Sequence, residues 1–538
     1  MKNYILNIKN LSISFFENGF KKTIINDFSF SFKKNIITAI VGPSGCGKSL
    51  LALACVNLLP KTKNISVSGN VFIGEKSCVF NLSKNEILLY RGLYTSIIFQ
   101  DPFTSLNPVY TCGYQLSECL IKKNKNLSRK DLFKKCLFFF KSVELDFPQK
   151  IFNSYPHQLS GGQLQRVLIS FSLAFNSKII IADEITTALD PYVKKKILIL
   201  LKKICKKNKI SLLLISHDIN VVKNYSDEIL IMKSGEIIES GKTNFILKNP
   251  KHIFTKSLII CKPLIKKNPF FLPFLFKNKI IKNKKIAFKK NISNTILELK
   301  NLSFSYKNFN VLKNINLKIK ENDIIGIIGR SGSGKTTLSN IISLINNNYS
   351  GDFYYKDINI KNYDFKKINK KIQIVFQNPE SSLNPKQKII NCLQEVLITN
   401  KNKSKNNINI ILNNLKKVDL DKSILNKYPH QLSGGQKQRV CITRILLSKP
   451  EIIIFDESVS ALDINTQSYV LNLIKKLYIK NNYTIIYISH DISTVSFLCN
   501  KIYVLKKGII IDSFLKENIL NKERNIETKK LINNNNIL

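Results

Sequence analysis

Apolar and polar positions alternate along residues 4–15, the two-residue period of a half-buried strand. Residues 24–41 predict a second strand, which ends in the mostly apolar run ITAIV at 37–41. A glycine-rich turn, GPSGCGKS (42–49), leads into the apolar stretch LLALACVNLL (50–59), which predicts a helix. Residues 69–100 read as β-rich and close on TSIIFQ, whereas the lysine-rich residues 115–150 predict a solvated helical subdomain. Amphipathic helices follow at QRVLISFSLAF (165–175) and QRVCITRILLS (438–448). The runs IIIADE (179–184) and IIIFDE (452–457) are apolar on both faces, as central strands of a parallel sheet must be. ISLLLISHD (210–218) and YTIIYISHD (483–491) predict two more strands, each ending in histidine.

The pattern is laid down twice. YPHQLSGGQLQR (155–166) recurs as YPHQLSGGQKQR (428–439), an offset of 273 residues. IIIADE, TALD (187–190) and ISHD (215–218) all recur at that same offset. The glycine-rich turn recurs as GRSGSGKT (329–336) at 287, and FQDPFTSLNP (99–108) as FQNPESSLNP (376–385) at 277. The fixed downstream offset marks a rigid block, and the changing upstream offset marks where loops differ in length. An internal duplication of two ~250-residue domains fits this spacing. The expected boundaries are 1–262 and 295–538, because ILELKNLSFSY (296–306) restarts the pattern of ILNIKNLSISF (5–15). Between them, 263–294 is rich in Lys, Asn and Phe, has no clear period, and reads as a linker with an eroded appendage. The polar C-terminus, 521–538, is expected to fray.

A net charge of +48 ordinarily suggests nucleic acid or an anionic membrane. Here Lys, Asn, Ile and Phe are inflated throughout and Trp is absent, as an AT-rich genome produces. The lysines are scattered rather than striped, so no nucleic-acid partner is expected. Eleven dispersed cysteines without a CxxC pair argue for a reducing compartment and against a zinc site. The longest apolar runs, such as PFFLPFLF (269–276), fall far short of the ~20 residues that span a bilayer.

Strand, glycine loop and helix in that order form a cradle for a phosphate chain. In the first copy Gly42, Pro43, Ser44, Gly45, Cys46 and Gly47 make the loop. Lys48 reaches the outer phosphates, the Ser49 hydroxyl ligates Mg²⁺, and Leu50 continues the helix. The second copy places Gly329, Arg330, Ser331, Gly332, Ser333 and Gly334 in the loop, then Lys335, Thr336 and Thr337. Gln100 and Gln377 each follow an apolar strand, where an amide can touch both Mg²⁺ or water and a neighbouring subunit. Ser160-Gly161-Gly162-Gln163 and Ser433-Gly434-Gly435-Gln436 open helices whose free N–H groups attract an anion. Of the paired carboxylates, Asp183 and Asp456 can hold Mg²⁺, and Glu184 and Glu457 can polarise the water that attacks a γ-phosphate. His217 and His490, at strand ends, are candidates for a γ-phosphate contact. For His157 and His430 a buried structural role and a functional one stay open.

Together these motifs resemble the ATP-binding cassette family, in two copies over nearly the whole chain. The Walker A loop, Q-loop, LSGGQ signature, Walker B carboxylates, D-loop (188–190 and 461–463) and switch histidine occur in that order twice. The resemblance implies an α/β fold: two tandem P-loop nucleotide-binding domains, each with a RecA-like core, an antiparallel β-subdomain and a helical subdomain. A finer resemblance is to the ATPases of dipeptide/oligopeptide importers. It rests on the SLNP stretches, YPHQLSGGQ, DESVSALD (456–463) and NPKHIFTKSL (249–258). Two features depart from that group. Its cysteine-rich, cluster-binding tail is reduced to Cys261, and Ile185 and Ser458 replace the usual Pro after the Walker B Glu. The adenine-stacking aromatic is Tyr306 in the second half and ambiguous among Phe15, Phe16 and Phe20 in the first.

The resemblance further implies two ATP molecules held head-to-tail. One site combines Lys48, Ser49, Gln100, Asp183, Glu184 and His217 with Ser433, Gly434 and Gly435; the other combines Lys335, Thr336, Gln377, Asp456, Glu457 and His490 with Ser160, Gly161 and Gly162. Both halves keep every chemical residue, so two competent sites are expected, with ATP and Mg²⁺ as cofactors. The implied partners are two transmembrane permease subunits and, indirectly, a solute-binding protein, with the chain peripheral on the cytoplasmic face of the inner membrane. Other solutes (nickel, oligosaccharide, antimicrobial peptide) remain open. A ribosome-associated twin-cassette ATPase is the alternative class, disfavoured by the short linker and the SLNP stretch.

Overall fold

The computed structural model describes the chain except residues 1–3, 18–19, 61, 63, 75–76, 125, 187–188, 266–268, 277–278, 283–293, 308, 400–406, 461, 522 and 538. It divides into two compact units, Met1–Ile259 and Ile260–Ile537. Each holds a six-stranded and a four-stranded sheet. In the first unit the larger sheet runs Glu236–Lys242, Glu228–Lys233, Ile37–Val41, Ser211–Ile215, Ile179–Asp183, Thr95–Ile98. Every pairing is parallel except the first. The second unit repeats that order with Ile509–Leu515, Lys501–Lys506, Ile324–Ile328, Thr484–Ser489, Ile452–Asp456 and Ile372–Val375. The middle strands are buried at every position, which is why they read as mostly apolar runs.

The smaller sheets are antiparallel. Tyr4–Glu17 pairs with Phe20–Lys33 and Ile65–Ile73, and Thr295–Tyr306 pairs with Phe309–Lys320 and Ser350–Tyr355. Helices Cys112–Lys123, Arg129–Ser142 and Pro148–Asn153 form the helical layer of the first unit. Leu116, Cys136 and Phe140 share a core with Val167 and Ile180, so the layer is packed onto the large sheet. Each such side chain contributes ~1.5–3 kcal/mol by leaving water.

Four expectations need correction. Residues 24–41 are two strands, not one; they break at a turn where Asn35 takes φ 60°, a left-handed conformation that Asn tolerates. Within 69–100 the chain is helical at Lys84–Leu89, because Ser83 and Glu86 form a capping box. Among the described residues the C-terminus is not an irregular tail: Ile526–Ile537 is a helix whose Thr528 is fully buried and donates to Asp512 Oδ2 at 2.9 Å. Nor is 263–294 a free linker throughout. Ile265 and Leu272 lie in the core of the second unit, and Phe274–Phe276 pairs with Lys279–Ile281. Residues 283–293 lie outside the described ones. Among the described residues no helix is long and apolar enough to cross a membrane.

Candidate active sites

The phosphate loops follow from two glycines and a buried lysine. Gly47 (φ 99°) and Gly334 (φ 101°) hold left-handed conformations at the helix starts, and a Cβ on Gly47 would sit 2.9 Å from Ile25 Cγ1. Lys48 Nζ donates to the carbonyls of Gly42 and Pro43, both at 2.9 Å. Lys335 Nζ donates to those of Gly329 and Arg330, both at 3.0 Å. Both lysines are buried, so each ammonium lies inside the loop that its carbonyls define. Arg330 also ion-pairs with Glu527 of the C-terminal helix at 3.2 Å, a contact absent from the motif reading.

Asp183 and Asp456 close the central strands beside these loops. Burial pushes both carboxyls above the ordinary Asp range; hydrogen bonds, from Ser49 to Asp183 and from Ser339 and Thr336 to Asp456, pull the other way. Ser339 Oγ donates to Asp456 Oδ2 at 2.9 Å, while Oδ1 of each aspartate is buried without a hydrogen-bond donor. A desolvated carboxylate oxygen beside Ser49 or Thr336 fits a hard divalent cation such as Mg²⁺.

The next residue carries the strained backbone. Glu184 and Glu457 take φ of 47° and 46°, an unusual region for a residue with a side chain. Their amides donate to Ile215 O (3.1 Å) and Ile488 O (2.9 Å) across the sheet, which holds the turn. The turn aims each carboxylate at two partners. His217 Nδ1 lies 3.4 Å and Gln100 Nε2 3.4 Å from Glu184 Oε2. His490 Nδ1 lies 3.2 Å and Gln377 Nε2 3.2 Å from Glu457 Oε2. Lys335 Nζ is 3.7 Å from Glu457 Oε1. Burial raises the Glu457 carboxyl, but the hydrogen bond and charge of His490 and the charge of Lys335 outweigh it, leaving it below the ordinary Glu range. Such a carboxylate stays ionised at neutral pH and can accept a proton from water.

The signature stretches are helix starts. Ser160 and Ser433 cap Gly161–Phe175 and Gly434–Leu446, with Gln163 Oε1 accepting from Ser160 N (3.0 Å) and Gln436 Oε1 from Ser433 N (2.9 Å). Each glutamine therefore completes a capping box, a role that S-x-x-Q spacing signals. Gly162 and Gly435 are needed for space: a Cβ there would meet Val193 Cγ1 at 2.6 Å or Thr466 Cγ2 at 2.2 Å. The D-loop aspartates also cap. Asp190 accepts from Tyr192 N and Val193 N, and Asp463 from Thr466 N. Ala188 and Ala461 lie outside the described residues.

The remaining aromatics and histidines are placed as follows. Tyr306 is half-exposed and its hydroxyl accepts from Asn346. Phe16 and Phe20 are exposed at a strand end, and Phe15 packs partly into the core. His157 and His430 are exposed and stack on Tyr155 and Tyr428, which removes the buried-histidine reading.

The ABC transporter family pattern matches residues 25–187 and 312–460. The chain is 30% identical over 536 residues to the peptidoglycan transport ATP-binding protein YejF of Agrobacterium fabrum, covering 98% of this chain and 96% of that protein. It is 32% identical over 520 residues to an uncharacterized ABC transporter ATP-binding protein YejF of Escherichia coli K12, covering 95% and 96%. The glutathione import ATP-binding protein GsiA of that organism is 30% identical over 554 residues, covering 98% and 89%. With both family matches falling on the loops, strands and carboxylates just described, the chain belongs to the ABC transporter family as an ATP-hydrolysing protein with two ATP-binding cassettes.

Proposed function

We propose that this chain is the energy-coupling ATPase of an importer for di- or oligopeptides. The observation that carries the reading is the convergence of a histidine and a glutamine on one carboxylate oxygen, beside a lysine-filled phosphate loop, in both cassettes. The peptide assignment is supported by the SLNP and YPHQLSGGQ stretches and by relatives whose printed solutes, peptidoglycan and glutathione, contain short peptides.

In the proposed cycle, Lys48 and Lys335 bind the outer phosphates. Asp183 with Ser49, and Asp456 with Thr336, would hold Mg²⁺, which neutralises phosphate charge when bound. Gln100 and Gln377 orient the attacking water, Glu184 and Glu457 accept its proton, and His217 and His490, which lie against those carboxylates, contact the γ-phosphate. Tyr306 stacks on one adenine, and one of Phe15, Phe16 and Phe20 takes that part in the first cassette. Each signature completes the other cassette's site: Ser433-Gly434-Gly435 for the first loop, Ser160-Gly161-Gly162 for the second. Tethering in one chain raises the effective concentration of the closing partner. Two permease subunits dock near the Q-loops on the cytoplasmic face, and a solute-binding protein delivers solute from the other side.

Reconstitution in vesicles with candidate permeases and binding protein tests this. Short peptides should stimulate hydrolysis and accumulate in an ATP-dependent way. Stimulation by ribosomes, with none by permeases, contradicts the reading.

A further inference from the structure

The stretch that leaves the first cassette is held by one face of the helix Ile464–Asn481. Asn472 grips the peptide group of Leu272 on both sides: Leu272 N donates to Oδ1 at 2.9 Å, and Nδ2 donates to Leu272 O at 2.8 Å. Ser468 Oγ donates to Cys261 O. Phe274 packs edge-on against Tyr469 at 5.1 Å, and Lys475 Nζ lies 4.7 Å from the Phe270 ring centre. Ser468, Asn472 and Lys475 recur at spacings of four and three, so they share a stripe of the helix.

That stripe reaches the signature. Arg439, the last residue of the repeated YPHQLSGGQKQR, stacks on Tyr469 at 5.0 Å. Tyr469 OH donates to Asp419 Oδ2 at 2.7 Å, and Arg439 Nη1 donates to Asp419 O at 2.8 Å. Arg439 Nε donates to Gly435 O at 3.3 Å, inside the signature itself. Phe274 and Leu275 line a cleft with Ser433, Gly435, Arg439 and Tyr469. The first cassette has no such stripe. At the matching offset of 273, Ser468, Tyr469 and Asn472 are replaced by Lys195, Lys196 and Ile199, and Ile199 is 48% exposed.

We propose that the described parts of 261–281 form a strap that positions the second signature, with Asn472 and Tyr469 as positioning residues that act through Arg439. Resting on the composite-site reading above, the strap then tunes only the ATP site built on Lys48 and Glu184, which uses that signature. The two sites are chemically complete but unequally braced.

The test grafts first-cassette residues, Tyr469→Lys with Asn472→Ile, into the full chain. Both residue types occupy the matching positions of the other copy's helix. Hydrogen exchange is read first, because it does not depend on turnover. Leu272 should lose protection and 434–446 should exchange faster, with 161–175 unchanged. Equal exchange at 434–446 in wild type and variant overturns the strap, whatever the rates show. ATP hydrolysis is read second. With Glu457→Gln silencing the other site, the graft should lower the rate ~5-fold or more; with Glu184→Gln, less than ~2-fold. Equal losses in both backgrounds reduce the strap to general stability and overturn its positioning role. If instead the exchange result holds and the effect lands in the Glu184→Gln background, the pairing of signatures with loops in the composite-site reading is what fails.

Discussion

The two cassettes agree where phosphate would be handled and diverge behind it. Lys-to-carbonyl distances are 2.9 Å in one and 3.0 Å in the other, and His-to-Glu distances are 3.4 and 3.2 Å. Within the loop one side chain differs, Pro43 being answered by Arg330 bound to Glu527; behind it, Lys178, which rides over the Tyr94 ring, is answered by Glu451. Glu451 is held by Lys356 (2.7 Å), Lys371 (2.8 Å) and the Tyr355 hydroxyl (2.6 Å). A reacting phosphate fixes the residues within its reach. Packing away from it has many solutions, so the copies are free to differ there.

Removing the phosphate-loop cation should have the largest effect. Lys48→Ala and Lys335→Ala should each lower turnover at the affected loop ~100-fold or more, measured by single-turnover hydrolysis. A silent Lys335→Ala breaks the equivalence of the two sites. The next effect sharpens the comparison within one signature. Gly435→Ala places a Cβ 2.2 Å from Thr466 Cγ2, whereas the nearest atom to a Cβ at Gly434 is Leu462 Cδ2 at 3.5 Å. Gly435→Ala should destabilise the second unit by ~1–3 kcal/mol, and Gly434→Ala should shift it by less than about 1 kcal/mol, in denaturant unfolding.

Two smaller effects have opposite signs. Burial raises the Glu451 carboxyl, but hydrogen bonds from Lys356, Lys371 and Tyr355 more than reverse this and pull it from 4.5 to about 2. The folded state therefore binds its proton less tightly than the unfolded chain, so the stabilisation is full above 4.5 and lost as pH falls toward 2. Glu451→Gln should cost the second unit ~1–2 kcal/mol at pH 7, a gap that closes over that window in calorimetry. The first cassette, with Lys178 there, should show no such term. Asp456 is the reverse: burial raises its carboxyl, so the ionised form destabilises the fold at neutral pH. Asp456→Asn should raise the Tm at pH 7 while hydrolysis is lost, and the gain should shrink as pH falls through the carboxylate range.

The loops, strands and helix starts of the candidate sites were legible because their signals are local. Five-residue strands buried on both faces run straight into Gly42, Gly329, Glu184 and Glu457, and the motifs from YPHQLSGGQ onward recur at one fixed offset of 273. What the sequence hid depends on distant partners. The strap has no period because Leu272 is fixed by Asn472, two hundred residues on. The C-terminal helix looked frayed because its anchors, Asp512 and Arg330, lie on other elements. The left-handed turn at Glu184 and Glu457 had no glycine to announce it, since the positive φ falls on a residue that carries a carboxylate. The capping role of Gln163 and Gln436 was readable from S-x-x-Q spacing alone and was overshadowed by the phosphate reading.

The central claim is two competent sites in one chain. It is tested most directly by ATP hydrolysis of the full chain with Glu184→Gln and Glu457→Gln introduced singly, with and without co-expressed permeases. The account predicts that each change removes a large share of the rate, about half or more, and that permeases stimulate the wild type. If Glu184→Gln abolishes hydrolysis while Glu457→Gln leaves it untouched, the second cassette's site does not turn over and the claim is wrong.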